Sequence, residues 1–144
     1  MKKILNLGLN PGNHSESVSW ALLLLRLTVG GLMLTHGYGK LLMLFSEGPI
    51  QFPDPIGIGT SLSLILTVFA EVFCSLFLIF GLASRAAAIP LLITMWVAAL
   101  IVHAPDAFSR KELPLLYSAV YIAILLIGSG KYSIDNILFK KVNH

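Results

Sequence analysis

Residues 20–40 read WALLLLRLTVGGLMLTHGYGK, a stretch apolar enough to cross a lipid bilayer as a helix, yet it carries Arg26, His36 and Lys40. A charge near the middle of a spanning helix costs at least about 2.5–3.5 kcal/mol on insertion scales, so such groups face other protein, pair up or line a watery cavity. If this stretch is a membrane span, the rest of the chain has to supply partners for its basic groups.

The composition supports the membrane reading. Of 144 residues, 56% are hydrophobic and only 12% charged, whereas soluble domains carry about 25% charged residues. Half the usual surface charge is missing, the mean hydropathy is +0.85, and the natural solvent for such a surface is lipid. The length sets a single domain as the expectation. A net charge of +3 does not point to nucleic acid, because the basic residues lie at the ends of apolar runs rather than in a cluster. The lone cysteine, Cys74, excludes an intrachain disulfide and a CxxC motif; it reads as a small packing residue. The opening MKKILNLGLNPGNHSES has too short an apolar core for a signal peptide and no small-residue cleavage site. It reads as a mobile or surface-lying tail.

A spanning helix needs roughly 20 mainly apolar residues, and four segments qualify: about Val18 to Phe45, Ile56 to Leu82, Arg85 to His103 and Glu112 to Ile127. The runs lack the inside–outside alternation of barrel strands. The expected fold is therefore all-α, a four-transmembrane-helix bundle over residues 18–131. It is flanked by an N-terminal tail, 1–17, and an interfacial C-terminal tail, 132–144. Pro90 and Pro114 are expected near the beginnings of their helices, where a missing N–H does least harm. Gly128 and Gly130 can end the fourth helix. Ser133 is the expected N-cap of a short amphipathic helix using Ile134, Ile137 and Leu138, with Lys140 and Lys141 towards lipid phosphates; a frayed basic end is the alternative.

Four crossings put both termini on one side, with Lys2, Lys3, Arg85, Lys131, Lys140 and Lys141. The other side receives Lys40, Arg110 and Lys111. The positive-inside rule then places both termini in the cytoplasm.

The ionisable residues form one expected constellation. Taking Trp20 as an inner-interface anchor, Arg26 and Glu71 fall within about two helical turns of each other in depth, which predicts an Arg26–Glu71 ion pair. His36 and Lys40 are four residues apart and share a helix face. His103 ends the third helix and Glu112 begins the fourth. Arg26, His36, Lys40, Glu71, His103 and Glu112 are thus expected to converge on an outward-opening intramembrane pocket with Arg26 at its floor. Gly30, Gly31 and Gly37 would let neighbouring backbones approach closely. The plainer alternatives are a purely structural Arg26–Glu71 clamp, end residues such as Lys40, Arg85 and Glu112 snorkelling to water, and His103 as a cap. Haem ligation by His36 and His103 is disfavoured, no second-shell support being visible in sequence. No HExxH or cysteine cluster suggests zinc.

The stretch RLTVGGLMLTHGYGKL resembles the first-helix motif of DoxX family membrane proteins, and AEVFCSLFLIFGLASRAAAIPLLITMWVAALIVH and ELPLLYSAVYIAILLIGSGKYSID resemble its later segments. The resemblance covers about residues 19–138, and its polar positions map to Arg26, His36, Lys40, Glu71, Arg85, His103, Glu112 and Asp135. It implies a four-helix protein of the bacterial inner membrane that partners redox or oxidative-stress enzymes, one branch resembling the membrane subunit of a thiosulfate:quinone oxidoreductase. The expectation is a non-autonomous subunit that binds a quinone or small sulfur species, with no covalently bound cofactor. His36 and Lys40 would hydrogen-bond the ligand and Glu71 would relay a proton. The alternatives are a small-solute or proton carrier, working as a homodimer, and a non-catalytic membrane anchor for a peripheral enzyme.

Overall fold

A computed structural model describes residues 10–143. Within them, helix α1 spans Glu16–Leu44, α2 Thr60–Phe80, α3 Ser84–Val102, α4 Phe108–Ile127 and α5 Ile134–Asn143. No strand occurs among the described residues. Three helices, α1 to α3, are long and apolar enough to cross a membrane. The fourth, α4, has 20 residues but opens with Arg110, Lys111 and Glu112. Residues 1–9 of the expected N-terminal tail lie outside the described residues.

Helix boundaries follow local chemistry. Ser15 caps α1, its Oγ accepting from the Val18 N–H at 3.4 Å, and this starts the helix earlier than the apolar run alone suggests. Thr60 rather than Ile56 begins α2, because Gly57 and Gly59 hold φ of +72° and +97°, a conformation glycine adopts without penalty. Asp54 closes this turn. Its carboxylate accepts from the Ile58 and Gly59 N–H groups at 3.0 and 2.8 Å and from Ser63 Oγ at 2.8 Å. The backbone bond from Gly59 and the hydroxyl of Ser63 hold the Asp54 carboxyl below its usual range. A depressed carboxylate stabilises the fold above its unfolded value, about 4, and loses that contribution as pH falls through the folded value. Protection factors against hydrogen exchange in residues 49–59, corrected for the intrinsic pH dependence, are therefore expected to fall on acidification below about pH 4, and Asp54→Asn to show the lower protection already at pH 7.

Helix α4 begins a turn before its expected start, so Pro114 stands well inside it rather than at its opening, and Pro90 stands equally far inside α3. The Ser118 hydroxyl donates to the Pro114 carbonyl at 2.8 Å, and Thr94 does the same for Pro90 at 2.9 Å. Gly128, with φ +98°, ends α4, and Ser133 caps α5 as expected, its Oγ accepting from the Asn136 N–H at 3.2 Å.

In lipid, helices gain little from hydrophobic burial and associate through close packing. Gly30 and Gly37 provide it for the α1–α2 pair: a Cβ on Gly30 would lie 2.7 Å from Ile79 Cγ1, and one on Gly37 2.8 Å from Val72 Cγ2. Gly31 does not share this role, because no neighbouring atom lies within 4 Å of where its Cβ would be. The helices pack in the order α1 on α2, α2 on α3 and α3 on α4, while α4 touches α1 sparsely. Leu78, Ala88, Leu91, Tyr121 and Ile124 fill the centre.

Two π-helical turns interrupt the regular winding, Phe69–Cys74 within α2 and Ala98–Val102 at the end of α3. Such turns displace side chains from their α-helical directions and concentrate at functional positions. Here they carry Glu71 and lead into His103.

Candidate functional site

Arg26 and Glu71 do not pair. The closely packed α1–α2 register, Gly37 beside Glu71 and Gly30 beside Ser75, sets Arg26 level with the C-terminal end of α2. The fully buried guanidinium donates to the Leu78 carbonyl at 3.0 Å and the Tyr132 carbonyl at 2.6 Å. The Asp135 carboxylate lies within electrostatic reach. Asp135, also buried, accepts from the Ala83 and Ser84 N–H groups at 2.6 and 3.0 Å, capping the start of α3. Arg26 is therefore not the floor of an outward pocket. It anchors the segment after α4 to the α2–α3 turn. Lys131 and Tyr132 tie the same segment to Glu16 at the start of α1. Arg85 joins α3 to the end of α4, donating to the Leu125 carbonyl at 2.8 Å.

The partner of Glu71 is Lys40, one turn above Gly37 on α1. Its ammonium reaches Glu71 Oε1 at 2.5 Å, with the Glu71 side chain only 3% exposed. Burial of a carboxylate to this degree demands an opposite charge. The second oxygen, Oε2, is buried and has no hydrogen-bond partner among the described residues. The hydroxyl of Tyr121 is in the same state and lies within electrostatic reach of Glu71.

Two cavities meet at this ion pair. The larger, about 320 Å³, runs between α2 and α3 beneath the loop after α1, with largely apolar walls that include Ile56, Ile58, Leu66, Ile93 and Val97. The smaller, about 220 Å³, lies between α1 and α4, where those helices barely touch, and is lined by His36, Arg110 and Tyr117 among others. Lys40, Glu71, Ala98 and His103 line both.

Four of the six expected residues, His36, Lys40, Glu71 and His103, thus line one or both of these cavities. Arg26 and Glu112 line neither cavity, Glu112 being exposed just beyond the first turn of α4. His36 is exposed towards the cleft side, its ring meeting Tyr117 edge-on at 6.3 Å. His103 is engaged by Asp106, Nδ1 to Oδ2 at 2.7 Å, and this bond, helped by Arg110 at 3.9 Å, holds the Asp106 carboxyl below its usual range. Sequence alone assigns Tyr121 to helix packing and Arg110 to the charges between the third and fourth helices, not to the site. A tyrosine spaced four residues from Tyr117 on a helix reads as packing, and the Tyr117–Tyr121 stack at 6.0 Å does pack.

Chemically, the junction offers a buried carboxylate with one oxygen committed and one free, at the end of an apolar passage. The apolar passage suits a lipophilic body and the junction a polar head.

The family model described as DoxX matches residues 21–104. A protein of Haemophilus influenzae, described only as uncharacterized, is 32% identical over 125 residues, covering 81% of this chain and 90% of the relative. A second uncharacterized protein of the same organism is 31% identical over 103 residues, covering 68% of each. No solved structure matches.

Proposed function

The chain belongs to the DoxX family, and from that premise we propose that this multi-pass membrane protein is the membrane subunit of a redox or oxidative-stress-linked complex of the bacterial inner membrane. It binds a quinone or a small sulfur species at the Lys40–Glu71 junction. Helix α4 makes the fourth crossing, its opening charges at the outer surface, and both termini lie in the cytoplasm. The observation that carries the reading is Glu71 Oε2, buried without a hydrogen-bond partner among the described residues, in a side chain that lines both the apolar passage and the cleft beside His36. A carboxylate is retained at such a cost where it has a task beyond packing.

Protein in lipid nanodiscs is expected to bind a decyl-chain benzoquinone or thiosulfate saturably. Ala98→Trp, which fills the junction shared by both cavities, is expected to weaken binding about tenfold or more with the melting temperature retained. Absence of saturable binding for both probes in the wild-type protein overturns the proposal.

A further inference from the structure

Helix α5 presents a face that the bundle leaves uncovered. Its rotation is fixed at its start: the buried Asp135 carboxylate accepts from the Ala83 and Ser84 N–H groups, and the Asp135 N–H donates to the Gly81 carbonyl at 2.8 Å. Leu138 and Phe139, half-buried, share that inward side. With about 3.6 residues per turn, Ile134, Ile137 and Lys141 line up on the opposite side, flanked by Lys140. All four are exposed, Ile137 by 57%.

Two observations decide what this face meets. Trp20, 55% exposed on α1, packs against Tyr132 with ring centroids 4.5 Å apart. Tryptophan and tyrosine gather at the headgroup level of a bilayer, and α5 begins two residues after Tyr132. The second observation is charge. Lys131 is matched by Glu16, whereas Lys140 and Lys141 have no ion-pair partner among the described residues. Asp135, the one acidic residue of α5, is turned inward. The outward strip thus combines apolar side chains with two cations and no anion, a pattern suited to phosphates lying over acyl chains.

We propose that α5 is an anionic-phospholipid site, lying in the headgroup layer with Ile134 and Ile137 in the acyl boundary and Lys140 and Lys141 on lipid phosphates. Each lysine near an anionic surface favours it by about fivefold, while a zwitterionic headgroup offers no net charge to match. The site lies at the opposite end of the bundle from the Lys40–Glu71 junction and is independent of what that junction binds.

A bimane fluorophore on the thiol introduced by Ile137→Cys reports this face in nanodiscs; Cys74, 2% exposed, stays out of the label's reach. Brominated phospholipids are expected to quench the label and aqueous iodide to leave it bright. In mixed nanodiscs, brominated phosphatidylglycerol should prove enriched about fivefold or more around the label relative to brominated phosphatidylcholine. Lys140→Gln with Lys141→Gln should bring the two lipids level while bromolipid quenching persists, the melting temperature being retained because both side chains are exposed. Quenching by iodide in place of bromolipid would put this face in water, open to an acidic protein partner, and overturns the proposal. Equal enrichment of the two lipids with both lysines present, or a preference that survives their loss, overturns it as well.

Discussion

Arg26→Met is expected to destabilise the protein by about 3–5 kcal/mol, the range for breaking a buried ionic network by removing one partner. The guanidinium holds the Leu78 and Tyr132 carbonyls and also reaches the Ile79 carbonyl at 3.5 Å, and these lose their donor together while Asp135 loses a nearby positive charge. Arg26→Lys recovers only part of the loss, because a single ammonium does not reproduce the planar fork that reaches both oxygens. Thermal unfolding in detergent should show a fall of about 10–15 °C for Arg26→Met. A midpoint within about 3 °C of wild type would show that the tail is held by other contacts.

Lys40→Met should cost about 2–3 kcal/mol, somewhat under the ~3–5 kcal/mol of a fully buried pair, since the lysine side chain is 30% exposed. The cost arises from a carboxylate left in the bundle without a cation, not from lost packing. The double variant Lys40→Met with Glu71→Leu removes that charge as well, and it should regain most of the stability. A double-mutant cycle isolates the coupling. A single variant as stable as wild type would mean that the pair contributes nothing to holding α1 against α2.

The helical architecture was legible because long apolar runs separated by Pro, Gly and charged turns have one economical solution in a bilayer. The caps at Ser133 and the stop at Gly128 followed from residue type. What sequence depth alone did not resolve was partner choice. Arg26 and Glu71 stood at compatible depths with opposite charge, and the inference paired them. The real register depends on Gly30 and Gly37, which let α1 settle against α2 so that Glu71 faces Gly37 and lies within reach of Lys40. The true partners of Arg26 are backbone carbonyls, which every residue carries and no composition reveals. The π turns at Phe69–Cys74 and Ala98–Val102 leave no simple trace in residue type either, although they orient half the site. Gly31 shows the converse: the same residue type as Gly30, one position along, faces no neighbour.

The anchoring of Arg26 has a bearing on the order of events during biosynthesis. Its Tyr132 partner comes 106 positions later in the chain, and domains assemble as the ribosome delivers them, from the first residues onward. The first helix therefore enters the bilayer carrying a guanidinium whose acceptors have not yet been made. The network closes only once the segment around Tyr132 has been made and engages α1.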